Sequence, residues 1–209
     1  ATHLNAQYDA RTTAISYGSR KVLEAAKAWD GLAAAGSGAC PIRSIRILDG
    51  GGRDVPLAFD SHEAGGRIFG WIVDNADFRR CLFERVRALK TVRHVAPCAV
   101  TGFTVDDAGV TVATGNGSFR AALVIGADGR HSFTPAWMGI GTRQWTYKQQ
   151  AIVCCAVHER PHDHIAVEHF RREGPFAILP MSDDADGRHR SSVVWTNHAG
   201  HDSPLRWDE

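Results

Sequence analysis

No apolar run in the chain approaches the length of a membrane span, and the opening Ala1-Thr2-His3-Leu4-Asn5 lacks the basic and apolar regions of a signal peptide. Cysteine is scarce and odd in number: Cys40, Cys81, Cys98, Cys154 and Cys155 contain no C-x-x-C spacing. That excludes a complete disulfide framework and argues against a zinc site; it fits reduced thiols in a cytoplasmic protein. Charge of one sign is also lacking. The 24 Lys and Arg set against 23 Asp and Glu leave a formal charge of +1, so no global field draws in nucleic acid. A small-molecule partner is the expectation. An initiator Met is missing and the end, Trp207-Asp208-Glu209, comes without a closing helix, so a piece of a longer protein is expected.

Several catalytic signatures are missing as well. A G-x-G-x-x-G turn is not found, because Val55 stands where Gly50-Gly51-Gly52 would need its third glycine. There is no G-x-S-x-G elbow for a hydrolase. His162-x-His164 sits in a histidine-dense stretch, but residues 159–164 read as a turn with no H-E-x-x-H helix, so no metal is expected.

What is present is 209 residues, 44% apolar and 22% charged, enough for one large or two small domains with a sizeable core. Ser16 or Ser19 can cap a helix whose Val22, Leu23, Ala26 and Trp29 share one face, ending near Trp29. Strands are expected at 44–48, 55–59 and 67–73. A helix opens at Asn75 or Asp77 with Phe78, Cys81, Leu82 and Val86 on its buried stripe. Further strands are expected at 92–95, 100–105 and 110–113, a short helix at 135–138, and four strands at 149–157, 165–170, 176–179 and 191–196.

The organising stretch is Ala121-Ala122-Leu123-Val124-Ile125-Gly126-Ala127-Asp128-Gly129-Arg130. Its apolar start reads as an inner strand of a parallel sheet, covered by the helix that opens near Asn75. Gly126 and Gly129 bracket Asp128, which offers a carboxylate at the strand's carboxyl end, where open α/β sheets bind ligands; Asp-Gly is equally a common turn dipeptide. Arg11, Arg79 and Arg80 are candidate phosphate contacts, or solvated surface arginines. Phe176, Ile178 and Leu179, followed by Pro180, form an apolar strand that suits either a core or the floor of a pocket.

Taken together, Asp9-Ala10-Arg11-Thr12-Thr13-Ala14, Gly126-Ala127-Asp128-Gly129, Glu168-His169-Phe170 and Gly174-Pro175-Phe176-Ala177-Ile178-Leu179-Pro180-Met181 resemble the FAD-dependent aromatic hydroxylases of the p-hydroxybenzoate hydroxylase fold. The likeness is strongest to the 2-polyprenyl-6-methoxyphenol hydroxylases of ubiquinone biosynthesis. It implies an α/β fold of mixed α+β character: a partial three-layer FAD-binding domain, residues 1–40 and 74–140, interleaved with an antiparallel-sheet substrate domain, residues 41–73 and 141–209. It implies that Arg11, Asn75, Arg79, Asp128 and Gly129 serve FAD, and that NAD(P)H is the reductant. O2 is the oxidant and a prenylated phenol the substrate. The family needs no catalytic side chain of its own. Along the 176–180 strand, Phe176, Ile178 and Pro180 are the face expected to meet the substrate. A cytoplasmic protein peripheral to the inner membrane, or held in a biosynthetic complex, follows from the same likeness. The family's amino-terminal G-x-G-x-x-G element is not in this sequence, so the piece alone is expected to be inactive and not to retain FAD. A rival of another class is a non-catalytic binding module for a prenylated quinone precursor.

Overall fold

A computed structural model describes residues 11–35, 38–50 and 57–198. The chain divides into two compact units: residues 1–90 with 148–209, and Thr91–Tyr147. The first begins with β1 (Thr12–Ser16), α1 (Tyr17–Ala25), α2 (Trp29–Ala33), β2 (Ala39–Ile42), β3 (Ser44–Asp49), β4 (Leu57–Asp60), β5 (Gly70–Asp74) and α3 (Asn75–Ala88). The second holds β6 (Val100–Asp106), β7 (Gly109–Thr114), β8 (Gly117–Ala121) and α4 (Thr134–Trp137). The first then resumes with β9 (Gln149–His158), β10 (Ile165–Arg171), β11 (Gly174–Met181) and β12 (His189–His198).

In the first unit β1, β5 and β2 form a small antiparallel sheet with β5 at its centre. The other six strands form a large sheet in the order β4-β3-β10-β11-β12-β9. Its pairs are antiparallel except β3 with β10. β5 is buried on both faces, and its period of two sorts its side chains. Trp71 and Val73 join Ile15, Trp29, Leu32 and Cys81 in a core closed by Leu23 and Phe78 of the helices. Ile72 points the other way, into a core with Ile42, Ala166 and Met181 against the large sheet. The result is helices, small sheet and large sheet in three layers. Gly70 is required here: a Cβ at that position would lie 2.7 Å from the Ile15 carbonyl oxygen across the ladder.

Ser16 is the N-cap of α1, its hydroxyl accepting the Ser19 amide at 3.1 Å. The helix stops at Ala25 rather than Trp29, because Lys27 turns into the left-handed region (φ 55°) and α2 starts afresh. That break lets Trp29 meet Trp71 edge to face, centroids 5.2 Å apart, under the Arg20 guanidinium. β2 was not expected, since Pro41 and the small residues around it obscure its pattern. The strand expected at 92–95 is irregular. Residues 51–56, including Gly51, Gly52 and the start of the 55–59 strand, lie outside the described residues.

In the second unit β6, β7 and β8 form an antiparallel meander. Phe103 stacks on Phe133 at 5.6 Å, and the Trp137 indole N–H donates to the Phe103 carbonyl at 3.1 Å, which docks α4 on the sheet. The organising strand is corrected. β8 ends at Ala121, opposite Val110, and residues 122–129 join no ladder. Leu123 and Ile125 are 73% and 80% exposed. A buried parallel strand needs partners on both sides, and no described strand pairs with this segment. The helix opening at Asn75 covers β5 instead, through Phe78 and Cys81.

Ile72→Ala, at the waist of the layers, is expected to cost about 2–5 kcal/mol, whereas Val22→Ala, 70% exposed on α1, should change stability by under about 0.5 kcal/mol. Urea unfolding of the two variants checks the contrast.

Candidate cofactor and substrate sites

Three of the expected cofactor residues gather at the amino end of α3. The Asn75 amide donates to the Arg11 carbonyl at 3.1 Å, which holds the strand entering β1 against the first turn of the helix. The Asn75 side-chain oxygen accepts from the Thr13 hydroxyl. Arg79 follows one turn later. The Arg11 backbone and Arg79 thus lie at the start of a 14-residue helix, and arginine is a residue type whose guanidinium matches phosphate oxyanions. Arg80 pairs with Asp77 at 2.5 Å on the exposed side.

Two neighbours that the sequence did not single out fix this edge. Asp74 is the N-cap of α3, yet its carboxylate makes no capping bond; it faces Arg190 of β12 at 3.4 Å. The Thr12 hydroxyl donates to the fully buried Ser192 at 2.8 Å. In the sequence Ser192 and Arg190 sit in an ordinary strand, and only the sheet topology brings them to α3.

Asp128 and Gly129 belong to the second unit. Asp128 is exposed, and its carboxylate accepts from the Ser132 hydroxyl at 2.5 Å, the Phe133 amide at 3.1 Å and the Thr134 hydroxyl at 3.1 Å. These bonds, Ser132 foremost, hold its pKa below the usual carboxylate value. The carboxylate therefore organises the entry to α4. Gly129 has φ 86°, a left-handed conformation that favours glycine, and so lets the chain reverse beneath that carboxylate.

Along β11, Phe176, Ile178 and Pro180 do share a face. Phe176 lies opposite His169 and Trp195, Ile178 opposite Val167 and Val193, and Pro180 opposite Ser191. Phe176 meets Trp195 edge to face at 6.2 Å, with the Arg171 guanidinium over both rings. Ile178 lines an open cavity of about 490 Å³ with Arg46, Val167, Val193 and His158. Pro180 is almost fully buried. It is the opposite face, through Leu179 and Met181, that packs toward Ile42 and Ile72 of the small sheet.

A further cluster surrounds residues 158–164. The letters H-E-x-x-H from His158 to His162 straddle the end of β9 and the following loop, so the helical face that motif needs does not form. His162 and His164 nevertheless converge on Cys40 of β2, with the Cys40 sulfur 3.5 Å from His164 Nδ1. Burial pushes the Cys40 thiol up to about 12 and, with the neighbouring His162 and Arg43, lowers the His164 pKa. No sequence spacing foretold Cys40, which is more than a hundred residues from its partners.

The chain is 40% identical to ubiquinone hydroxylase UbiL of Rhodospirillum rubrum over 197 residues, 94% of this chain and 44% of that protein. The chain is a homologue of the ubiquinone hydroxylases. It is also 29% identical to 3-demethoxyubiquinol 3-hydroxylase of Escherichia coli, over 97% of this chain and 48% of that protein. Among solved structures it resembles PqsL of Pseudomonas aeruginosa in complex with 2-aminobenzoylacetate, with a TM-score of 0.74 at 17% identity over 92% of this chain and 52% of that one. HpxO of Klebsiella pneumoniae complexed with FAD and uric acid gives 0.65 at 18% identity over 92% of this chain and 48% of that one. These likenesses establish the mixed α/β fold. No model of a known protein family matches the chain. The chain spans about half the length of the relatives it matches.

The Asp128 geometry sets a pH dependence. A carboxylate whose pKa is depressed contributes order that is complete above its ordinary value of 3.8 and is lost as the pH falls through the lowered value. In an NMR titration the Phe133 and Thr134 amides should shift below pH 3.8, and Asp128→Ala should abolish that transition while the β6–β8 resonances persist.

Proposed function

We propose that this chain is the central part of a flavin-dependent monooxygenase that hydroxylates a prenylated phenol in ubiquinone biosynthesis. The overall chemistry places one atom of O2 on a ring carbon and releases the other as water, with NAD(P)H giving the two electrons. The observation that carries this reading is the 40% identity to UbiL across 94% of the chain. It is supported by the placement of Arg11, Asn75 and Arg79 together in the chain at the α3 terminus.

In the complete enzyme Arg11 and Arg79 neutralise phosphate oxyanions of FAD, while Asn75 keeps the strand and helix in register for them. Asp128 and Gly129 supply a further cofactor-binding turn. FAD, when bound, supplies the electron transfer and oxygen activation that no side chain can provide. Residues 1–40 and 74–140 then serve as part of the FAD domain and residues 41–73 and 141–209 as the substrate domain. Phe176 and Ile178, backed by the buried Pro180 on the same face, give a flat phenol an apolar wall that donates no protons and keeps water away. No described helix is long and apolar enough to cross a membrane. A long isoprenoid is itself insoluble, so the proposal includes a protein peripheral to the inner membrane or held in a biosynthetic complex.

Two variants of the full-length protein test this. Arg79→Ala is expected to weaken FAD binding about 10–100-fold, the usual loss for a hydrogen bond to a charged group. Ile178→Asp is expected to lower phenol hydroxylation at least about tenfold, with reduction of the flavin by NAD(P)H in the absence of substrate changed less than about twofold. Unchanged product formation in Ile178→Asp overturns the assignment of the substrate face. A full-length protein that binds the prenylated phenol yet neither retains FAD nor oxidises NAD(P)H is a binding module.

A further inference from the structure

We propose that Cys40, His162 and His164 form a three-ligand site for a zinc-class divalent cation that clips β2 to the loop preceding β10. One ligand atom from each of the three lies within 4.8 Å of the other two. The 3.5 Å between Cys40 Sγ and His164 Nδ1 matches the edge of a tetrahedral centre with Zn–S about 2.3 Å and Zn–N about 2.0–2.1 Å, which is about 3.5 Å. A thiolate with two imidazoles suits a borderline-soft ion and excludes Mg²⁺ and Ca²⁺, which take oxygen ligands.

The His162 tautomer agrees with that assignment. His162 Nε2 lies 2.7 Å from the Met181 carbonyl, an acceptor only, so Nε2 carries the proton and Nδ1 keeps the lone pair. That lone pair now accepts the His164 amide at 3.1 Å, the contact a metal would replace. His162 thus has the backbone-carbonyl partner that metal-bound histidines use to fix their orientation.

The backbone is shaped to the same end. Asp163 and His164 are successive non-glycine residues in the left-handed region, at φ 51° and 59°. That conformation is unfavourable for side chains bearing a Cβ, and here it brings the two rings together over Cys40. An open cavity of about 280 Å³, lined also by Met181, Asp183 and His189, gives the ion an entry path and room for a fourth ligand. As the metal–sulfur bond forms, the Cys40 thiol proton passes to solvent.

The test uses the full-length protein, freed of any histidine tag and loaded with Zn²⁺ alone. One zinc per chain is expected, with an absorption-edge fine structure showing one sulfur at about 2.3 Å and nitrogen at about 2.0–2.1 Å. Cys40→Ser and His164→Gln should each weaken Zn²⁺ binding beyond the roughly 10–100-fold typical of losing an outer-sphere partner. His158→Gln, whose ring centroid is 6.1 Å from that of His162 but which is not one of the three, should bind zinc as the parent does. Circular dichroism establishes that each variant is folded. A parent protein that fails to bind zinc saturably, or binds it without a sulfur neighbour, overturns the proposal. So does a folded Cys40→Ser variant that binds as tightly as the parent.

Discussion

The burial of β5 on both of its faces is the constraint on which the rest of the first unit depends. A strand of five residues has only one way to satisfy it: Trp71 and Val73 to the helices, Ile72 to the large sheet. A slip of one residue would exchange the two sets and send the indole of Trp71 into a space now shared with Met181 and Ala166. Register in this strand therefore fixes where Asp74 lies, and with it the first residue of α3. The amino end of the helix inherits its position from a packing requirement on the strand before it.

The pairing of Asp74 with Arg190 acts at the same junction. An N-cap aspartate ordinarily bonds the first amides of its own helix. Asp74 turns outward to β12 instead, and the Thr12–Ser192 bond lies alongside. Both groups of the Asp74–Arg190 pair are less than one-fifth exposed, so screening by solvent is weak and the pair ties the large sheet to the start of α3. β12 is thus tied to the residue that immediately precedes Asn75.

Much of this was legible in the sequence because periodicity reports burial. The helix from Asn75 and the four closing strands follow from their apolar spacing, as does the shared face of Phe176, Ile178 and Pro180. What was not legible depends on partners remote in sequence. Ala121 to Ile125 has the letters of an inner strand, but a ladder needs neighbours and the described residues supply none. The bonds that Asp128 accepts from Ser132, Phe133 and Thr134 are local, but they follow no periodic spacing and so left no mark in the sequence either. Cys40 looked like an isolated core thiol because nothing local marks a residue whose partners lie on another strand's approach loop.

The parallel pairing of β3 with β10 has a consequence for synthesis. Its register joins Ser44 to Ile165 and Asp49 to Phe170, so the strand made early has no such neighbour until well over a hundred residues later. In between, Thr91–Tyr147 emerges as a unit built of local hairpins, which can form as it leaves the ribosome. The first ninety residues meanwhile expose Ile72 and Ile42, whose cover, Ala166 and Met181, is still unmade. An uncovered apolar sheet face of this kind is prone to aggregation, and that exposure lasts until translation reaches β11.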